Sequence, residues 1–268
     1  GARWRATWDW LLFVGGFVPS LIFGVALGNV LQGVPFRFAP DMQIFYDGGF
    51  FGLLNPFALL CGLVSVAMLV MHGASWLALK TEGAVAWRAR NWGMRAAAAV
   101  VVLYALAGWV LWRFVDGYRI TSEIVTTGPS NPLFKTVAGE GGAWFANYAA
   151  HPWTMAAPAL GFAGALLALL GLARRWEGLT MVFSSLSITG IILSVGASMF
   201  PFILPSSIQG AASLTVWDSS SSQLTLFIML VGSCIFLPII IGYTSWVYKV
   251  LWGKVDADGI RDGKGHAY

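Results

Sequence analysis

"MVFSSLSITGIILSVGASMFPFILPSS", Met181 to Ser207, carries no charged residue over its first twenty positions and then meets two prolines, Pro201 and Pro205. A bilayer core needs about 20 predominantly apolar residues per crossing helix, which this run supplies. Pro201 has no N–H and its ring opposes helix continuation, so the helix is expected to end or kink near Phe200. A short polar passage follows, "SLTVWDSSSSQLTL" from Ser213 to Leu226, and another long apolar run begins at once. A helix, a hard stop, a polar turn and a second helix read as a membrane hairpin.

The rest of the chain agrees with that solvent. Of 268 residues, 57% are hydrophobic and 10% are charged, against about 25% charged in soluble domains. So few charges cannot cover a water-exposed surface of this size. Fourteen tryptophans and thirty-two glycines suit interfacial belts and close helix packing in lipid. The expected fold is all-α, a polytopic helical membrane bundle with six spans, at about residues 10–31, 57–79, 94–115, 153–172, 181–200 and 223–247. Residues 1–255 form one transmembrane domain and 256–268 a polar tail. Cys61 and Cys234 fall in apolar runs at depths too different for a disulfide and read as small buried fillers.

Twelve of the sixteen lysines and arginines gather in alternate inter-span segments, with Arg95 and Arg113 assigned to the segments they adjoin. The positive-inside rule therefore puts both ends of the chain in the cytoplasm, as an even number of spans requires. Tryptophans such as Trp8, Trp76, Trp109, Trp153 and Trp246 stand near span ends, where the indole keeps its N–H near water. The one long outer loop, 116–152, contains Asn131 as a cap and Pro132 at a first helical position. Phe134, Val137, Trp144, Phe145 and Tyr148 recur near helical spacing, which predicts a helix lying flat on the membrane; Gly139, Gly141 and Gly142 oppose it.

Chemistry-bearing residues are sparse. The three histidines, His72, His151 and His266, lie in the second span, the outer loop and the tail, so no two reach one metal under this topology. No HExxH, CxxC or phosphate-loop pattern occurs, and no nucleic-acid partner is expected. Charged residues at membrane depth mark ion paths, and the spans hold almost none. Asp218 has a structural reading, a carboxylate at the positive end of a helix, beside Ser220 and Gln223 as a capping box. His72 reads first as a hydrogen-bonded packing residue. Asp218 and His72 are the two candidates for a proton path.

Five blocks carry a resemblance: "GNVLQGVPF" (28–36), "LLNPFALLCGLVSVAMLVMHGASWL" (53–77), "MFPFILPSS" (199–207), "SLTVWDSSSSQLTL" (213–226) and "LPIIIGYTSWVYKVLWGK" (237–254). In this order and spacing they resemble subunit II of the cytochrome bd-type quinol terminal oxidases. The resemblance implies a bacterial inner-membrane complex that oxidises quinol, reduces dioxygen to water and generates proton-motive force. It implies haem b, haem d and the quinol-oxidising loop in a partner, subunit I, with a small accessory subunit in some complexes. This chain would hold no redox centre and would support assembly, haem insertion and oxygen or proton access; some members hold a structural quinone. Asn55, Pro56, Pro201, Pro205 and Trp217, which lie in the shared blocks, become candidates for subunit contact or structural motif. The family pattern has nine spans, so the six here are expected to correspond to its last six. Two other readings stand beside this one, a six-span solute carrier and a pure assembly scaffold.

Overall fold

A computed structural model describes residues 2–124, 130–250 and 252–254. The long helices are α1 (Ala2–Gln32), α2 (Pro56–Lys80), α3 (Gly83–Phe114), α5 (Ala156–Arg174), α6 (Glu177–Met199) and α7 (Gln223–Val250), with a short α4 (Ala146–Ala150) between α3 and α5. Six helical segments among the described residues are long and apolar enough to cross a membrane, and the fold is the expected all-α polytopic bundle. The tail 256–268 and His266 lie outside the described residues. α6 ends at Met199, two residues before Pro201. α3 begins at Gly83 rather than near Met94: nothing between 84 and 93 breaks a helix, so it continues past the apolar part of the span.

Small residues set the packing, as expected where lipid removes the hydrophobic drive between helices. α5 and α6 approach closely at two points: a Cβ on Gly190 would meet the backbone N of Gly161, and one on Gly164 would stand 2.5 Å from that of Ser187. Between α1 and α2, a Cβ on Gly24 would meet the Cys61 carbonyl oxygen at 2.2 Å. The core of α2, α3, α5 and α6 is filled by Met71, Val100, Ala97, Ala165 and Ala168.

α7 stands apart, with no buried residue along its length. Pro238 lies inside it without breaking it. It is held at its ends. Just ahead of it, Ser130 Oγ donates to the Ser220 carbonyl and Asp218 pairs with Lys135. At the far end Tyr248 meets Trp76 edge-on, and Lys254 lies 2.8 Å from Glu177 and 3.7 Å from Glu82. Cys234, on α7, is exposed and Cys61 half-buried. The expectation that both are buried fillers fails for Cys234, because α7 has no neighbour there.

One end of the bundle carries a small β-rich cap. β1 (Phe36–Phe38) pairs with β2 (Ile44–Tyr46), β3 (Asp116–Ile120) with β4 (Val137–Gly141), and β5 (Phe202–Leu204) with β6 (Leu214–Thr215), all antiparallel. The helix expected within 131–152 is therefore not formed as one element; only the short α4 is α-helical there. Asn131 does cap, accepting from the Leu133 N–H, but for one 3₁₀ turn, Pro132–Phe134. Residues 137–141 then pair with β3, and Gly142 turns the chain at φ +77°. Of the apolar residues at that spacing, Trp144 is buried at the centre of a hairpin and short turns, Val137, Phe145 and Tyr148 are half-buried, and Phe134 is exposed. The expected capping box also moves. Ser220 Oγ donates back to Val216, and Ser222 sits over the start of α7 with Thr225.

The cap closes over the end of α1, where helix carbonyls lack internal partners. Trp144 Nε1 donates to the Leu31 carbonyl and Tyr118 Oη to that of Gln32. The passage after α6 grips the chain just beyond. The Val34 N–H donates to Pro205 O, Ser206 Oγ to Phe36 O, and the Phe38 N–H to Gln209 Oε1.

Candidate functional site

A cavity of about 670 Å³ lies against the cap, walled by α1, α2, α3, α5 and α6. Its walls are almost wholly apolar, including Phe23, Leu27, Met68, Phe162 and Ile192. Apart from Ser65 on α2, its few hydroxyls converge on the last turns of α6. Tyr104, from α3, donates to Ser194 Oγ at 2.6 Å, and Ser194 Oγ in turn donates to the Ile191 carbonyl. Tyr148, from α4, donates to the Ser194 carbonyl at 2.9 Å and lies 3.0 Å from Ser198 Oγ. Asn147, beside it, donates to the Ala197 and Phe200 carbonyls and so closes the end of α6. α4 is one and a half turns long; its position is set by these bonds, not by helix propensity.

Burial holds the Tyr148 phenol above its ordinary pKa, against a smaller lowering by the Ser198 hydrogen bond. Burial also raises Tyr118, with Asp116 adding to it. Both remain neutral donors near pH 7. The cavity therefore offers a long apolar bed with hydroxyls at one end, the common character of a site for a lipid-soluble molecule with a polar head. Among the described residues no three His, Cys, Asp or Glu side chains gather as a metal-binding group.

The two proton-path candidates lie far apart in the fold. His72, in the half of α2 away from the cap, has Nδ1 3.0 Å from Ser184 Oγ on α6. Asp218 is inside the cap, where Oδ2 lies 2.6 Å from Lys135 Nζ and Oδ1 accepts from the Thr215 N–H. Its structural part is thus to join two loops, not to cap α7. The remaining candidates are cap parts too. Asn55 Oδ1 accepts from the Ala58 N–H and its amide reaches Asn29, with Pro56 opening α2. Pro205 is buried. Trp217 packs edge-on against Phe200, next to Pro201.

Sequence reasoning passed over Lys135, Tyr104 and Ser194, and read Tyr148 only as part of a helix lying on the membrane. One signal was present. Thr180, Ser184, Ser187, Ser194 and Ser198 recur every three, four or seven residues, a hydroxyl stripe on the buried side of α6. The partners from α3 and α4 come from parts of the chain that share no local pattern with it.

Residues 1–251 match the family model described as cytochrome bd terminal oxidase subunit II. A Haemophilus influenzae protein named probable cytochrome oxidase subunit 2 is 47% identical over 267 residues, covering 99% of this chain and 70% of that protein. The cytochrome bd-I ubiquinol oxidase subunit 2 of Escherichia coli K12 is 45% identical over 260 residues, 97% of this chain and 68% of that one. In a solved structure of the bd oxidase from Geobacillus thermodenitrificans, one chain shares the fold at a TM-score of 0.60 and 16% identity, covering 91% of this chain and 66% of that chain.

Proposed function

The chain belongs to the cytochrome bd terminal oxidase subunit II family, and from that premise we propose that it is the non-haem-ligating membrane subunit of a quinol:oxygen oxidoreductase. Its relatives are subunits of an oxygen-reducing ubiquinol oxidase, and it is itself a multi-pass membrane protein. In this reading haem b, haem d and the quinol-oxidising site belong to subunit I. This chain provides the wall against which that subunit assembles and takes up haem. The end of the bundle that carries Lys80, Arg90 and Lys254 faces the cytoplasm of a bacterial inner membrane, and the β-rich cap faces outward.

The observation that carries this reading is α7, a 28-residue apolar helix fastened at both ends and bare between them. A helix so placed in an isolated chain is a natural surface for a large apolar partner, here subunit I. The cavity beside the cap supports a second element, a structural quinone. Its apolar walls would take the isoprenoid tail, and Tyr148 and Tyr104 would orient the head. The quinone would supply shape there. The carrier reading finds little to rest on, since Pro238 leaves α7 unbroken and no charged side chain lines the cavity.

The test is co-purification through a tag on this chain, followed by a reduced-minus-oxidised spectrum. A d-type haem band is expected with the native chain. Gly232→Lys and Gly242→Lys, placed on α7 where no neighbour stands within 4 Å, are expected to abolish it. A full band in both variants would remove α7 from the interface. Absence of the band from the native preparation would remove the oxidase reading itself.

A further inference from the structure

Backbone carbonyls fix the direction of the hydrogen bonds around the cavity. A carbonyl oxygen can only accept, so Ser194 Oγ gives its proton to the Ile191 carbonyl at 2.7 Å, and Tyr104 gives its own to Ser194 Oγ at 2.6 Å. Tyr148 likewise gives its one proton to the Ser194 carbonyl at 2.9 Å, which leaves Ser198 as the donor across the 3.0 Å contact with Tyr148 Oη. These four hydroxyl protons are spent inside the wall. Tyr148 Oη both donates and accepts. Tyr104 Oη donates, but it accepts from no group among the described residues, so its lone pair is open.

Ser65 is the other open group. It is 7% exposed and lines the cavity from α2. A serine inside a helix commonly donates back to the carbonyl four residues before it, as Ser75 does to Met71. Ser65 makes no such bond to Cys61, and among the described residues no group pairs with its hydroxyl. Nor is its oxygen sealed in the packing, where among the described residues only Gln32 Oε1 is left unpaired; it opens on the cavity. A hydroxyl left unpaired in apolar surroundings costs free energy that a bond from an occupant removes. Phe57 and Leu111 share one cluster beneath the cap. Counted from them at about 1.5 Å per residue, Ser65 on α2 and Tyr104 on α3 lie about 12 and 10 Å deeper, at one level on adjoining walls.

We propose that the cavity selects a head group bearing O–H donors, and so takes the reduced, hydroquinone form of a lipid quinone in preference to the oxidised form. The oxidised ring carries acceptors alone. It takes the Ser65 proton, but it meets the open lone pair of Tyr104 with another lone pair. A hydroquinone turns one O–H to Tyr104 Oη and engages Ser65 as donor or acceptor. The two forms differ little in shape, so the apolar walls hold both alike and the discrimination falls to the phenol. A site that receives a donor rejects the analogue lacking one, because its own acceptor is then left unpaired. Occupancy of the cavity thus follows the reduced fraction of the membrane quinone. This inference rests on the quinone reading of the cavity.

The purified complex is held without oxygen, below saturation, at a potential that keeps decylubiquinone half reduced, so that both forms stand at equal concentration. It is desalted rapidly, and the retained forms are separated by chromatography with electrochemical detection. Ligand held elsewhere in the complex is common to every preparation, so the loss from native to Ser65→Ala reports the cavity. Ser65→Ala is expected to lower both forms about five-fold, the worth of one hydrogen bond, and the ligand lost is expected to be quinol over quinone by a similar factor. Tyr104→Phe is expected to lower cavity-bound quinol about five-fold and to leave the quinone unchanged. A native haem band in each variant shows that the complex has assembled. Equal amounts of the two forms lost in Ser65→Ala, or equal loss of both in Tyr104→Phe, would overturn the selection and leave the quinone in the cavity. No loss of either form in either variant would take the quinone out of the cavity, and the selection with it.

Discussion

Lys135 Nζ and Asp218 Oδ2 lie 2.6 Å apart inside the cap, the lysine side chain 9% and the aspartate 14% exposed. The lysine also donates to the Pro132 and Ala211 carbonyls. Asp218 accepts in addition from the Thr215 N–H, so both charges are held by neutral groups as well as by each other. The pair ties the loop before α4 to the passage that leads into α7. Asp218→Asn leaves Lys135 buried without its counter-charge, and breaking such a pair costs about 3–5 kcal/mol. The expected result is a lower yield of assembled complex and a lower melting temperature, with oxygen uptake per haem unchanged in what assembles. Asp218→Leu with Lys135→Met should recover much of the loss. A fall in uptake per haem would instead place Asp218 on a proton route.

The cap should be sensitive to alkali. Tyr118 and Tyr148 both have pKa values raised chiefly by burial, so the folded chain holds their protons more tightly than the unfolded chain does. That difference contributes stability fully below the ordinary phenol value, about pH 10. It is lost as pH rises through the folded value. Melting of the complex is expected to drop more steeply above about pH 10 than in Tyr148→Phe, which lacks one of the two groups. Parallel curves would argue against the burial.

Tyr104→Phe and Tyr148→Phe remove the two phenol oxygens at the head of the cavity, and with them the bonds to Ser194, while keeping its walls. Each loses a hydrogen bond worth about 1 kcal/mol. If a quinone occupies the cavity, extraction and chromatography of the purified variants should return roughly five-fold less quinone per complex than the native protein where occupancy is low. Unchanged quinone in the double variant would sever the cavity from quinone binding.

The α5–α6 contact should tolerate no side chain at its centre. Gly190→Ala forces a methyl against the Gly161 backbone, a site where nothing flexible can yield, and overpacking of this kind costs about 1–3 kcal/mol. Gly73→Ala on α2 has nothing within 4 Å and should change stability by less than about 0.5 kcal/mol. Melting temperatures of the two purified variants give the comparison.

The spans were legible because each is a local statement: twenty apolar residues bounded by a proline, a lysine or a tryptophan describe themselves. Met199 ends α6 because Pro201 follows, and Asn55 with Pro56 opens α2. The cap was not legible for the opposite reason. β5 and β6 hold three and two residues, too few to carry a pattern, and β3 finds β4 across a loop. Trp144 looked interfacial and is 2% exposed, because it fills the space over α1 that no local rule describes. The site shows the same division. The α6 hydroxyls follow helical spacing, whereas Tyr104 and Tyr148 reach them only through the packing of three separate elements.

The clasp on α1 also dictates an order of events during synthesis. Ser206 meets Phe36, and Gln209 meets Phe38, across separations of 170 and 171 residues. At about 5–20 residues per second, the chain just beyond α1 waits roughly 10–30 s for these partners to be made. Four further helices enter the membrane in that interval. The lid of the bundle is thus a late event, and whatever must reach the cavity from that side has its opportunity before the ribosome finishes α7.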